Sequence, residues 1–361
     1  MSESPVGNPP HPEPTRPEAA HPLPPHPPSA PLLSARLREA LDRVTVAPDR
    51  SRARVDDREV EADSPREMRR LLAEALYDIL HAGQFVEKGA LSFRLRDEAF
   101  ERVLGAAVPH ERSTARARVH IPPAESDGTA ARALVERDGV RVWVPAGSVR
   151  EAAPLSAGQV VTLDVPARRP ALSPGFFVVD GSLPRSPHRE LLRVYVHVTR
   201  WEDAAPVWAR ALGHLEEQGV AYRSKILSAK ALYPRRDALV VYLGQESWQR
   251  VPGLAEALRE APGVGQETSV FAEPVAPGVA VAREPEDDRP GMSGLSFGQH
   301  RATALAHALL DSAADGTPVE QTVVARFTEA GIDPARPAHN SASPEFPAAP
   351  ESPQESNLVS V

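Results

Sequence analysis

The sequence has no cysteine among its 361 residues. This absence excludes disulfide bonds, thiolate nucleophiles and cysteine-based metal sites, and it fits a reducing compartment. No apolar run is long enough to cross a membrane, and the N-terminus lacks the charged-then-apolar pattern of a signal peptide. The formal net charge of -8 disfavours nucleic-acid binding by the protein as a whole. We therefore predict a soluble, cytoplasmic protein that binds neither membranes nor nucleic acid.

Lysine is nearly as scarce as cysteine. Lys88, Lys225 and Lys230 are the only lysines, and arginine supplies the rest of the 41 basic residues. Lysine can give up its proton and act as a base, whereas arginine stays protonated in proteins. A lysine that persists in an arginine-rich chain is therefore a candidate base, with chance survival as the alternative. The closeness of Lys225 and Lys230 favours the first interpretation.

Several familiar motifs are also missing. The sequence contains no G-x-x-x-x-G-K-[ST], no convincing G-x-G-x-x-G and no H-E-x-x-H, and its histidines are scattered. We predict no metal and no cofactor. The stretch 294–298 matches the G-x-S-x-G motif of hydrolases, but that motif needs a buried strand directly before the serine. Here the acidic, proline-containing stretch 283–290 precedes it, which disfavours a serine hydrolase.

Proline, by contrast, is abundant, and its distribution divides the chain into sections. Residues 1–30 and 337–361 are too rich in proline and small polar residues to offset the entropy of ordering, so both are predicted to be disordered. Residues 31–107 are predicted to form a small N-terminal helical module, and residues 108–190 a β-rich section. Residues 191–336 alternate strands with helices. The predicted fold class is α+β, a mixed sheet with flanking helices.

Local signals support these assignments. Ser64 can cap a helix that starts at Pro65, and Glu67 completes a capping box. We interpret His81, at the end of this helix, as a cap or surface residue rather than a catalytic one. The turn Asp138-Gly139 between two apolar runs predicts a hairpin.

Cationic residues gather on two predicted strands of the third section. In Leu192–Thr199 the apolar residues alternate with Arg193, Tyr195 and His197, and Arg223 and Lys225 share one face of Val220–Leu227. If these faces combine in one sheet, they form an anion clamp with a candidate base. The alternative is a solvated strand face with Arg–Asp pairs.

A second candidate site is the helix start within Ser293–Arg301. A helix N-terminus with a nearby arginine can hold an anion, and His300 could donate a proton to a leaving group. The alternative is an ordinary capping segment with a surface histidine.

Three segments together resemble the HopA-type effector-like family. They are Tyr222–Ile226, Arg236–Tyr242, and Ala276–Val279 leading to Ser296–Arg301. The resemblance covers about Leu191 to Ala314, and Leu76–Leu80 in the helical module matches more weakly. The founding members of this family are type III effectors of plant pathogens. Actinobacterial relatives belong to peptide natural-product pathways, where they stand beside a phosphotransferase-like kinase.

The resemblance implies a cofactor-independent carbon–oxygen lyase acting on phosphate. Such an enzyme eliminates phosphate from phosphoserine or phosphothreonine and leaves dehydroalanine or dehydrobutyrine, as in lanthipeptides and thioamide-containing peptides. The implied partners are a phosphorylated precursor peptide and the kinase. The implied site residues are Lys225 as base, His197 or His300 as acid, Arg223, Arg236 and Arg301 as the phosphate clamp, and Tyr195 or Tyr242 as peptide-orienting residues. Lys230 is an alternative base, with Lys225 then binding phosphate.

Two other functions stay open at this point. The chain could be a non-catalytic partner that presents a peptide to the kinase by strand addition. It could also be an effector-like module that binds other proteins. In the first case, replacing Lys225 by arginine should have little effect.

Overall fold

A computed structural model describes residues 32–84, 96–123, 131–137, 139–152, 154–185 and 190–344. The predicted disordered head, 1–30, and most of the predicted tail lie outside these residues. Within the described ranges no helix is both long and apolar enough to cross a membrane. The helices described are α1 (Ala35–Leu41), α2 (Pro65–Leu76), α3 (Glu98–Ala106), α4 (Ala204–Glu217), α5 (Val251–Arg259), α6 (Phe297–Asp315) and α7 (Val319–Glu329).

The strands form three sheets. In chain order they are β1 (Val44–Val46), β2 (Arg52–Val55), β3 (Arg58–Glu61), β4 (Arg112–Ile121), β5 (Arg132–Arg137), β6 (Val140–Pro145), β7 (Val160–Pro166), β8 (Arg168–Ser173), β9 (Phe176–Asp180), β10 (Leu191–Val198), β11 (Tyr222–Leu227), β12 (Arg235–Gly244), β13 (Glu273–Ala276) and β14 (Val279–Arg283). The sheets are β1-β2-β3, β13-β14-β10-β12-β11-β9-β8 and β6-β5-β4-β7. The α+β class is confirmed.

The pairing corrects one detail of that prediction. All pairings recorded between the described strands are antiparallel, so the central sheet is not mixed. The small β1–β3 sheet within the section predicted as a helical module was not anticipated. Its strands are only three or four residues long, too short to show a clear alternation.

Helix α2 begins as its sequence predicts. The Ser64 hydroxyl accepts a hydrogen bond from the Glu67 amide at 3.2 Å, and Pro65 occupies the first helical position. The helix continues into a π-helical turn, Tyr77–Ala82, which ends at Gly83 with φ 69°. This left-handed conformation favours glycine, which carries no Cβ.

Helices cover both faces of the seven-stranded sheet. On one face, the alternate apolar residues of β10 join a core with α3, α4 and α5, in which Trp208 is fully buried. On the other face, Tyr195 and Val240 join a core with α2, α6 and α7. The predicted alternation in β10 is therefore confirmed, but its polar side is enclosed between the sheet and a second helical layer.

The four-stranded sheet has a much smaller core. The predicted hairpin is present as β5 and β6, with Gly139 in the left-handed region at φ 77°. Seven buried apolar residues form its core cluster among the described residues. Val140, Val142 and Trp143 on β6 remain about half exposed.

Candidate active site

A cavity of about 640 Å³ lies between the seven-stranded sheet and the helices α2 and α6. The sheet contributes Arg193, Tyr195, Lys225 and Tyr242 to its lining. The turn after α2 contributes Tyr77 and His81, and the start of α6 contributes Ser296 and Gln299. Parts of the two sites that the sequence predicts separately, the cationic strand face and the helix start, thus line one cavity.

Strand register explains how the sheet contributes to this lining. Arg193, Tyr242 and Arg223 are direct neighbours across β10, β12 and β11, and Tyr195, Val240 and Lys225 form the next row. Residues that pair in this way point to the same face of a sheet. Strand β12 lies between the two predicted cationic strands, so Tyr242 separates Arg193 from Arg223.

A register shift on β12 brings a charged pair to the cavity. The pairing of β10 with β12 shifts between Val196 and Val198, and Asp237 lines the cavity. Asp237 accepts two hydrogen bonds of 2.7 Å from Arg235 and one of 3.0 Å from the Tyr77 hydroxyl. Burial acts to raise the pKa of Asp237, but the charge of Arg235 outweighs it and holds that pKa well below its usual range.

The other carboxylates of the lining are paired in the same way. Glu284 accepts two hydrogen bonds from Arg193. Asp287 accepts from Arg289 at 2.8 and 2.9 Å. Thus Asp237, Glu284 and Asp287 each have an arginine partner, and their charges are compensated.

Lys225 differs from these cavity charges. Its ammonium nitrogen lies 4.1 Å from the centre of the Phe176 ring and 5.8 Å from that of Tyr242. No hydrogen bond or ion pair joins it to any described residue. Cation–π contacts of this kind are weaker than a buried ion pair, so Lys225 is available to a ligand.

His81 lies in this cavity and is buried, which corrects its interpretation as a cap or surface residue. Its Nδ1 is 2.8 Å from the Ser269 hydroxyl oxygen, and its Nε2 is 3.7 Å from Asp237. The ring packs edge-on against Tyr195, with 5.1 Å between centroids. Burial lowers the pKa of His81 to about 4, so the ring is neutral at physiological pH.

The Asp237 carboxylate near Nε2 favours the tautomer of His81 that carries its proton on that nitrogen. In that tautomer Nδ1 accepts a hydrogen bond from the Ser269 hydroxyl, whose oxygen also accepts the amide N–H of Phe271 at 3.2 Å.

Several predicted site residues lie elsewhere. Lys230 is exposed and stacks on Trp201, 4.3 Å from the ring centre, so it does not reach the cavity as an alternative base. Arg236 binds Glu267 and the carbonyl of Ile79, because the register shift turns it away from the cavity.

His197 is also outside the lining, because the same irregular stretch of the sheet directs it toward a different loop. It packs against Gly265 so closely that a Cβ there would lie 2.3 Å from its Nδ1. Burial lowers the pKa of His197. His197, one of the two histidines predicted as the acid, therefore does not line the cavity.

Arg223 shares the face of Lys225, as predicted, but is engaged by a carboxylate. Its Nε donates to Asp180 at 2.7 Å, and Arg169 and Arg185 also surround Asp180. Arg223 therefore lies beside the cavity without lining it.

His300 and Arg301 are fully buried behind the first turn of α6. The Nε2 of His300 is 2.9 Å from Asp287, and its Nδ1 accepts from Arg301 at 2.9 Å. Arg301 also donates to the carbonyls of Pro337 and His339 and to the Asn340 side chain. These contacts make Arg301 a structural residue, and they order residues that the sequence assigns to a disordered tail.

The start of α6 presents the features of a helix cap. Ser296 is its N-cap, and the Ser296 amide and hydroxyl both donate to the Gln299 side-chain oxygen, at 3.0 and 2.8 Å. No strand lies directly before Ser296, because β14 ends at Arg283 and the described residues 284–296 contain no strand, so the G-x-S-x-G stretch does not form a hydrolase elbow.

Sequence reasoning overlooked Tyr77, His81 and Asp237 as cavity residues. One signal was available, since Leu76–Leu80 belongs to the weaker part of the family resemblance. Within the ranges that the structure describes, no group of His, Asp and Glu side chains is arranged to hold a metal ion.

Parts of the chain are similar to known proteins. Residues 167–339 match the sequence model of the HopA1 effector protein family. Two effector proteins of known structure are similar at 14% identity: one from Pseudomonas syringae pv. tomato strain DC3000, covering 78% of this chain and 91% of that chain with a TM-score of 0.41, and one from Pseudomonas syringae pv. syringae strain 61, covering 74% and 89% with a TM-score of 0.42. No curated protein matches the chain.

Proposed function

We propose that this chain, whose residues 167–339 match the sequence model of the HopA1 effector protein family, is a phosphoserine/phosphothreonine lyase acting in the maturation of a ribosomally made peptide. One observation carries the proposal. In a cavity where three carboxylates are each neutralised by an arginine, Lys225 keeps an uncompensated amine group. Such a cavity attracts a phosphorylated side chain.

The proposed reaction uses Lys225 as the base. Its unprotonated amine takes the α-proton of the phosphorylated residue, and the electrons of that C–H bond form the Cα=Cβ double bond. The Cβ–O bond breaks and its electron pair leaves with the phosphate. The products are a dehydro residue, inorganic phosphate and a protonated lysine.

Two neighbouring elements are suited to the phosphate. Glu284 takes two of the five N–H donors of Arg193, so others can reach an anion in the cavity. The N-terminus of the 19-residue helix α6 adds a favourable dipole. In this proposal His81 or the Tyr195 hydroxyl, which both line the cavity, gives a proton to the departing phosphate oxygen.

The chain offers a matched pair of lysines for the test. Purified wild type, Lys225→Arg and Lys230→Arg would each be incubated with a phosphothreonine peptide, without added nucleotide, and followed by mass spectrometry. Wild type and Lys230→Arg should release phosphate and leave dehydrobutyrine. Lys225→Arg should be slower by about 10²- to 10⁴-fold, because charge is kept while proton acceptance is lost.

Equal rates for the two lysine variants would contradict the role of Lys225. An unmodified peptide with all three proteins, even with the kinase supplied, would favour a second candidate, a protein-binding module. The description of the matched family as effector proteins supports that candidate. A non-catalytic partner of a phosphotransferase-like kinase would instead raise the rate at which that kinase, supplied with ATP, phosphorylates the unmodified peptide.

A further inference from the structure

A groove of about 600 Å³ adjoins the cavity and follows the contact between α2 and α6. Tyr77, Leu295 and Gln299 line both the cavity and the groove. The groove therefore begins where the cavity ends, on the side away from the sheet.

The groove has one stripe of side chains from each helix. From α2 and the turn after it, the lining residues are Arg66, Arg69, Arg70, Ala73, Glu74, Tyr77 and Asp78, which recur three or four positions apart along two adjacent rows. On α6 they are Gln299, Thr303 and His307, with a spacing of four. Such spacings place residues on one face of a helix, so both stripes face the groove along its length.

Two of the groove arginines lack carboxylate partners. Arg70 is bound to Glu74 at 2.7 Å, whereas Arg66 and Arg69 are exposed and form no ion pair with any residue that the structure describes. Arg69 lies close enough to His307 to lower its pKa, although burial is the larger cause. The two carboxylates of the groove are each paired with an arginine, Glu74 with Arg70 and Asp78 with Arg58 at 2.6 Å. In a chain of net charge -8, Arg66 and Arg69 therefore leave a local excess of positive charge.

We propose that this groove binds an acidic segment of the same peptide that carries the phosphorylated residue. The inference rests on the proposed function only in placing that residue in the cavity. The charges of Arg66 and Arg69 favour glutamate and aspartate in the bound segment. Because the groove is continuous with the cavity, a peptide whose phosphorylated residue lies in the cavity can place its neighbouring residues in the groove.

The helix geometry sets the position of the acidic residues. Arg69 is eight residues from Tyr77, which is about 12 Å along a helix at roughly 1.5 Å per residue. Arg66 lies one turn further. An extended peptide rises about 3.3 Å per residue. Acidic residues should therefore stand about four to five positions from the phosphorylated residue, on one side of it only.

Fluorescence anisotropy with the full chain tests this directly. Labelled phosphothreonine peptides would carry two glutamates, two lysines or two serines at those positions, on either side of the phosphothreonine. The Lys225→Arg chain would be used, since it is expected to bind without turnover. We expect the glutamate peptide with the correct side to bind about five- to tenfold more tightly than the serine peptide, with a preference that weakens as salt is raised.

Charge reversal separates recognition from folding. Arg66→Glu with Arg69→Glu should reverse the order and favour the lysine peptide, because both positions are exposed and their substitution leaves the core intact. A control with Arg52→Glu and Arg54→Glu, on exposed positions of β2, should keep the order of the wild type. Equal binding of the three peptides, or an unchanged order after reversal in the groove, would overturn the inference.

The two proposals fail separately. If the glutamate peptide binds more tightly but wild type releases no phosphate from it, the lyase proposal is wrong and the groove proposal stands. If wild type releases phosphate from all three peptides at equal rates and binds them equally, the lyase proposal stands and the groove proposal is wrong.

Discussion

The two larger sheets differ in what covers them. The seven-stranded sheet is enclosed by helices on both faces, and its charged residues line a cavity in which each carboxylate is paired. The four-stranded sheet has a single small core cluster and leaves Trp143 52% exposed. It also precedes residue 167, where the family match begins. The comparison teaches that the paired charged residues of this protein lie on the sheet that has an apolar core on each face.

The largest expected difference between the sheets is in tryptophan substitutions. Trp208→Ala, which empties a fully buried site in α4, should lower the free energy of unfolding by about 3–5 kcal/mol. Trp143→Ala on β6 should change it by less than about 0.5 kcal/mol. Urea unfolding followed by circular dichroism measures both. Similar losses for the two variants would mean that the small sheet has a core as stabilising as that of the large one.

Substitutions at two glycines test how tightly α6 packs against the His81 ring at the cavity. A Cβ at Gly298 would lie 2.2 Å from the His81 ring, whereas a Cβ at Gly213 in α4 meets nothing within 4 Å. Gly298→Ala should cost about 3 kcal/mol, the upper part of the range for overpacking. Gly213→Ala should stabilise by about 0.5–1 kcal/mol through helix propensity. If thermal unfolding shows Gly298→Ala to be neutral, the ring of His81 is not fixed as described.

Lowering the pH should reduce the stability of the protein through protonation of His81. Burial lowers its pKa to about 4 in the folded protein, from 6.5 in the unfolded chain. Between these values the unfolded chain binds more protons, so stability falls as the pH falls. At pH 5 the loss from this residue is roughly 2 kcal/mol. His81→Asn should therefore lose less stability than wild type between pH 7 and pH 5 in urea titrations, and parallel losses would contradict the assignment.

Local pattern predicted several strands after residue 110 and their faces. The alternation of β10, the cap of α2 and the hairpin of β5 and β6 each depend on neighbours a few residues apart, which the sequence displays. The shared face of Arg223 and Lys225 followed in the same way.

The partners of the charged residues could not be predicted from local pattern. Arg223 binds Asp180, Arg236 binds Glu267, and Arg301 binds residues beyond 336. Each pair joins segments that lie far apart in sequence, so residue type alone could not distinguish a free cation from a neutralised one. The same holds for His81, which reaches the cavity because α2 packs against α6.

The buried guanidinium of Arg301 has a practical meaning for anyone who trims this chain. Its acceptors at Pro337, His339 and Asn340 lie just past the last regular helix, and Arg283 donates to the carbonyl of Pro344. Ending the polypeptide at 336 would leave a charge in the interior without its acceptors, which costs several kcal/mol. A shortened version of the protein should therefore keep residues 337–344, although the composition of this segment looks like that of a dispensable linker.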